Sequence, residues 1–156
     1  MIQRIQTLYL LAAEVLTAIL FFSNFAKFLD SSGADMVLTY KGLYQVGGDQ
    51  LVKLVNAWPM AALLVVASLV GFVVIFFYRR RMFQIRLCFL AMVLQLGFLV
   101  MMAYYIYSIA TVGKGAMSLT VVDIFPLVSI VLYYLAYRGI AKDEAMVIAS
   151  SFRTRR

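Results

Sequence analysis

Four apolar stretches, each about as long as a membrane is thick, leave this chain few ways to fold. A helix crossing a bilayer needs about 20 mostly apolar residues, and Ile5 to Phe25, Ala57 to Tyr78, Phe83 to Ser108 and Leu119 to Tyr137 meet that length. The third stretch is longer than the roughly 30 Å hydrocarbon core needs at about 1.5 Å per residue, so it is expected to tilt or to project past one face. The first stretch carries Glu14 in its middle and is followed by no convincing small-residue cleavage site, so it is expected to be a retained helix rather than a signal peptide. Composition agrees, because 65% of the 156 residues are hydrophobic, only 13% are charged and mean hydropathy is +0.95. Ordinary soluble domains are about half apolar and a quarter charged. The predicted fold class is an all-α membrane protein, a four-transmembrane-helix bundle over residues 1–139, followed by a basic cytoplasmic tail at 140–156 with a helix expected from Ile140 to Ser150.

Lys and Arg near span ends stay on the cytoplasmic side. One side holds ten: Arg4, Arg79, Arg80, Arg81, Arg86, Arg138, Lys142, Arg153, Arg155 and Arg156. The other holds only Lys27, Lys41, Lys53 and Lys114. The net charge of +7 is therefore concentrated on one face, and both termini are expected inside. The Arg79-Arg80-Arg81 run beside a span is expected to set topology and, with the tail, to touch anionic lipid head groups; nucleic acid is not an expected partner. Trp58, Tyr104, Tyr105 and Tyr107 are expected to mark the outer interface, and Tyr78, Tyr133, Tyr134 and Tyr137 the inner one.

The first outer loop, about residues 27–56, departs from the helical pattern. Met36 to Val46 is rich in β-formers and Gly47-Gly48-Asp49 supplies a turn, which predicts a small extracytoplasmic β-hairpin or sheet between helices 1 and 2. Residues near Ala116 to Thr120 could join it, and it must pack on the helix ends, since an isolated hairpin is marginal. Asp49 to Asn56 reads as a short amphipathic helix leading into the second span, with Pro59 at that span's start, where a missing N–H costs nothing extra.

Glu14 is the sharpest single residue, because an ionisable group near mid-membrane is costly and marks a functional site or a fixed partner. Gln3, Thr7, Glu14, Thr17 and Asn24 fall within about a 100° arc, so this stripe is expected to face the bundle. The third helix has a matching face in Gln84, Cys88, Ala91, Gln95 and Met102, and the second has small residues at Ala57, Ala61, Ser68 and Gly71 that permit close approach. Glu14, Ser68, Gln95 and Ser129 fall at one depth and form a candidate polar cluster, with Glu14 expected to bond Gln95. Asp123, three residues before Pro126, is expected to cap the fourth helix. The candidate partner-contact loop is Tyr40, Gly42, Leu43 and Tyr44.

Histidine is absent and Cys88 is the only cysteine. Paired-His haem ligation, His/Cys zinc sites and paired-Cys redox chemistry therefore lack their ligands. Cys88, inside an apolar run, reads as a small buried hydrophobe. No nucleophile and base occur together at an interface, so no catalytic residue, cofactor or metal is expected and the chain is not expected to be an enzyme.

Met1-Ile2-Gln3-Arg4-Ile5-Gln6-Thr7-Leu8-Tyr9-Leu10, the outer Tyr40-Lys41-Gly42-Leu43-Tyr44 and the tail Arg138-Gly139-Ile140-Ala141-Lys142-Asp143-Glu144 resemble a family of uncharacterised four-span membrane proteins from Bacteroidota. The likeness covers the whole chain. It implies an inner-membrane address in a Gram-negative bacterium and no particular activity, since that family carries a domain-of-unknown-function label. Ser150-Ser151-Phe152-Arg153 departs from the family's Ser, Asp and Arg ending by lacking the acid. In layout the chain also looks like the claudin-like proteins, Gly42-Leu43-Tyr44 being similar to their Gly-Leu-Trp motif, although their paired loop cysteines are missing.

The expected role is therefore a non-enzymatic accessory, assembly or interaction subunit working with a protein partner or as a homo-oligomer. The alternative is small-solute or proton conduction through the bundle or an oligomer of it, using Glu14 and Gln95.

Overall fold

The computed structural model describes residues 2–29, 35–47, 50–77, 80–113 and 117–153. In chain order these form α1 (Ile2–Leu20), β1 (Ala26–Leu29), β2 (Asp35–Thr39), β3 (Gly42–Gly47), β4 (Gln50–Asn56), α2 (Trp58–Phe76), α3 (Arg81–Gly113), β5 (Met117–Leu119), a 3-10 turn (Val121–Ile124) and α4 (Phe125–Arg153). Tyr78, Arg79, Gly48, Asp49, Lys114, Ala116, Arg155 and Arg156, singled out above, lie outside the described residues.

Three helical segments, Trp58–Phe76, Arg81–Thr111 and Val121–Val147, are long and apolar enough to cross a membrane, while α1 has a shorter apolar run, Ile5–Leu20. The first helix ends before the expected Phe25. Its last turn tightens through bonds from Phe21 N to the Ala18 carbonyl (3.2 Å) and from Phe22 N to the Ile19 carbonyl (3.0 Å). Phe25 N then donates to the Leu38 carbonyl at 2.8 Å, so the chain has already joined the strands.

The four helices pack side by side, α1 against α2 and α4, and α3 against the same two, which puts α1 and α3 at opposite corners. Each buries a stripe at alternating three- and four-residue spacing, the signature of a helix seam. On α1 the stripe is Gln6, Leu10, Ala13, Thr17 and Leu20; on α4 it is Ser129, Tyr133, Ala136 and Ile140. On α3 it is Gln84, Cys88, Ala91, Gln95, Phe98 and Met102, which includes the whole face expected there. Large apolar side chains cover the outward faces: Leu8 of α1 is 64% exposed, Leu69 of α2 and Phe89 of α3 are 60%, and Val131 of α4 is 51%. Apolar exposure on every side is unlike the surface of a water-soluble monomer.

The strands form one antiparallel sheet in the order β4-β3-β2-β1-β5, so β5, from the segment before α4, does join the strands between α1 and α2. The helix expected over Asp49 to Asn56 is instead strand β4, paired along β3 with Gln45 opposite Val52 and Val46 opposite Leu51. Cross-strand pairing of Leu51, Val52 and Val55 outweighs the weak local helical pattern, as strand preference is set by neighbours more than by backbone. The β-rich stretch from Met36 to Val46 also breaks in two at Tyr40-Lys41, with Thr39 opposite Gly42. Gly42 has φ +147°, and a Cβ there would collide with the Val55 carbonyl, so glycine is required.

The sheet rests on α3. At 33 residues α3 is roughly 50 Å long, well beyond the ~30 Å core. Its far end supplies Tyr105, Ile106, Ile109 and Ala110, and Ala26, Phe28, Leu38 and Leu43 of the sheet pack on them. At the opposite end α4 passes Gly139 without a break, burying Ile140, and Gln6 Nε2 donates to Asp143 Oδ2 at 2.7 Å.

Candidate functional site

Glu14 lies at the edge of the buried stripe of α1, and its carboxylate reaches between α2 and α4. Ser68 Oγ of α2 donates to Oε1 at 2.7 Å, and Tyr133 OH of α4 donates to Oε2 at 3.3 Å. Gly71, one turn along α2 from Ser68, is what lets the three helices close here: a Cβ at that position would overlap both Glu14 Oε2 and the Tyr133 hydroxyl. Beside the carboxylate, Ser129 Oγ and Thr17 Oγ1 both donate to the Ala13 carbonyl, at 3.4 and 2.9 Å. The result is a three-helix polar knot in which each side-chain oxygen serves another helix or its own backbone.

The knot differs in membership from the layer expected by depth. Glu14 and Ser68 are bonded to each other, and Ser129 is adjacent through a backbone carbonyl. Gln95 is not a partner of Glu14: it is 1% exposed, and its Nε2 has no hydrogen-bond partner. The reason is the helix arrangement, since α1 and α3 stand at opposite corners and equal depth does not bring their side chains together. The expected stripe on α1 is also shifted. Thr7 and Asn24 are exposed, whereas Gln6 is buried, because Leu10, Ala13, Thr17 and Leu20 fix the inward face and Gln6 continues that row.

Tyr133 is a member of the knot that the aromatic-belt pattern does not predict. Expected in the inner aromatic belt, it is 1% exposed and in the core. Its signal was the row Ser129, Tyr133, Ala136, Ile140, a four-three-four spacing that puts it on the buried face of α4.

Of the loop candidates, Gly42 and Leu43 are buried against the protein's own sheet and helix α3, while Tyr40 and Tyr44 are half-buried. Tyr40 packs edge-on against Phe21 at 5.5 Å between ring centroids, and Lys41 Nζ lies 5.3 Å from the Tyr40 ring. Asp123 closes the 3-10 turn that precedes α4 rather than capping α4 itself: Thr120 N donates to Oδ2 at 2.9 Å in a reciprocal capping box around that turn. Cys88 is fully buried among apolar residues. Among the described residues, no group of three or more Cys, Asp or Glu side chains is placed to hold a metal ion.

No curated protein matches this sequence. The family model described as Domain of unknown function (DUF4293) matches residues 2–151, nearly the whole chain, and the chain belongs to that family.

Proposed function

We propose that this chain is a four-span integral protein of a bacterial inner membrane, with both termini and the Arg79-Arg80-Arg81 run in the cytoplasm and the five-stranded sheet on the outer face. In this reading it is a non-enzymatic accessory or assembly subunit that works through contacts with a protein partner or with copies of itself, without cofactor or nucleic acid. What supports it most is the pairing of Glu14 with Ser68 and Tyr133 over Gly71. An ionisable group in the interior that serves three helices at once acts as interhelical glue rather than as the wall of an opening.

Helix α1 is the fourth span in this reading. Its 19 residues extend roughly 28 Å, near the ~30 Å core, and Leu8, Leu11, Val15 and Ile19 project outward from it. The side asymmetry of Lys and Arg favours the stated orientation. Arg80 and Arg81 border a cleft with Phe83 and Glu144, where anionic lipid head groups would meet the cytoplasmic face.

Affinity purification of tagged chain from native membranes in mild detergent, with mass spectrometry against a tag-only control, tests the role. A stoichiometric partner in repeated preparations is the expected result. Recovery of this chain alone, together with a solute flux in liposomes, would overturn it. One observation favours that second reading, conduction involving Glu14 and Gln95: the buried Gln95 amide nitrogen has no partner. Loss of such a flux in Glu14→Gln at unchanged Tm would establish it.

A further inference from the structure

The two edges of the sheet are finished differently. Strand β5 is three residues long, and so short an edge offers little to a further strand. Strand β4, at the other edge, runs seven residues from Gln50 to Asn56, roughly 23 Å of extended chain. One side of it pairs with β3, and among the described residues no strand pairs with the other side. The backbone N–H and C=O groups along that side are a template for an extended chain. The side chains agree: Val52, Leu54 and Val55 are 54%, 45% and 41% exposed, in a sheet that the proposed placement puts in water rather than in lipid. No proline interrupts the strand.

Charge narrows what can pair there. Lys53 is the middle residue of β4 and is exposed, and its ammonium donates to the neutral Asn56 Oδ1 at 3.0 Å. Among the described residues it meets no carboxylate. A second copy laid antiparallel along all seven residues would set Lys53 opposite its own twin, and like charges directly opposite are destabilising. The register also breaks beside Leu54, since Leu43 faces Val55 while Tyr44 faces Lys53; such a bulge bends the edge and selects against an arbitrary strand.

We infer that β4 is completed by an extended segment of a different protein, which adds a sixth strand and places a carboxylate opposite Lys53. Main-chain hydrogen bonds give such a contact its strength, and the Lys53 pair with its apolar neighbours gives it selectivity. The inference rests on the accessory role proposed above and names the surface through which that role is exercised.

The test is fluorescence anisotropy of the full chain in mild detergent with three labelled hairpin peptides, backbone-cyclised so that the docking strand is already extended. That strand alternates valine and threonine around a central glutamate in the first peptide and around a central lysine in the second. The third repeats the first with N-methyl groups on its outward-facing amides. The glutamate peptide is expected to bind about tenfold more tightly than the lysine peptide, since it gains an opposite-charge pair and avoids a like-charge one. The N-methylated peptide should bind more weakly than its parent by about tenfold or more, because it cannot donate to the edge. Lys53→Glu should reverse the order of the first two peptides, and the N-methyl comparison on wild-type protein keeps the inference testable if that variant fails to fold. Absence of binding, equal binding of the parent and N-methylated peptides, or an order that survives Lys53→Glu would overturn strand addition at β4. Dimers of the chain that the glutamate peptide disperses would overturn the foreign partner in favour of a second copy. Recovery of the chain alone with a solute flux would instead overturn the accessory role, so the two failures are distinguishable.

Discussion

Two polar residues in the helical core have opposite surroundings. Glu14, at the α1 corner, has a donor from each neighbouring helix, Ser68 on α2 and Tyr133 on α4. Gln95, on α3, which packs against the same two helices, is buried and finds no partner for its amide nitrogen. The contrast shows that a polar side chain inside such a helical core is satisfied by what its adjacent helices offer, not by a matching residue at equal depth across it. It also separates two energetic roles. The Glu14 corner ties three helices together, whereas Gln95 is an unmet requirement in a face otherwise packed by Cys88, Ala91 and Phe98.

The harshest way to break the comparison is to fill the space that permits the Glu14 knot. Gly71→Val would push side-chain atoms into the Glu14 carboxylate and the Tyr133 hydroxyl. Glu14 can swing aside, but the tyrosine ring is held in the core, so about 3 kcal/mol of stability should be lost, as in overpacked cores. Denaturant unfolding in detergent, followed by maleimide modification of the buried Cys88, measures this. Gly71→Ala combined with Tyr133→Phe should cost less than the sum of the two singles, since removing the hydroxyl clears the collision. An additive result would mean that the two sites do not meet.

Milder changes remove one bond at a time. Ser68→Ala deletes the 2.7 Å bond and should cost about 1 kcal/mol, within the range for interhelical hydrogen bonds in membranes. Tyr133→Phe deletes the 3.3 Å bond and should cost less, about 0.5 kcal/mol. A reversed order, with Tyr133→Phe the worse of the two, would mean that Tyr133 rather than Ser68 is the main anchor of the carboxylate.

These sites also mark where sequence ceases to be a sufficient guide. Each long helix falls on one of the four apolar stretches, though not with the same ends, and the buried face of α3 follows from the spacing of Gln84, Cys88, Ala91, Gln95 and Met102, because both are local properties of the chain. The partner of Glu14 is not local. It depends on which helices are adjacent, and nothing in the sequence of α1 says that α3 stands diagonally across. Tyr133 departs from the belt expectation because tyrosine is both an interface residue and a core residue with a polar end, and only the row through Ser129 and Ala136 distinguishes the two. Strand β4 departs from the expected helix for a similar reason. Leu51-Val52-Lys53-Leu54-Val55 tolerates either periodicity, and its pairing with β3 decides. Strand β1, with buried Ala26 and Phe28 alternating with exposed Lys27 and Leu29, carried a period-two signal too short to stand out beside the preceding apolar helix.

The last expected effect has the opposite sign and sharpens the comparison most. Gln95→Leu replaces an enclosed amide by an apolar side chain of similar length. If the amide nitrogen is unmet throughout the folded state, its removal relieves a desolvation penalty that no bond offsets, and packing changes little. Stability should then stay level or rise by up to about 1 kcal/mol, as when buried polar groups give way to well-packed apolar ones. Ser68→Ala, at the other corner, should lose a similar amount. The same Cys88 modification assay reads both, so the sign of the difference is internal to one experiment. A loss in Gln95→Leu as large as that in Ser68→Ala would mean that Gln95 has a partner in the membrane, a water, a solute or another chain. The second reading of the function would then gain the support that Glu14, already bonded on both oxygens, does not give it.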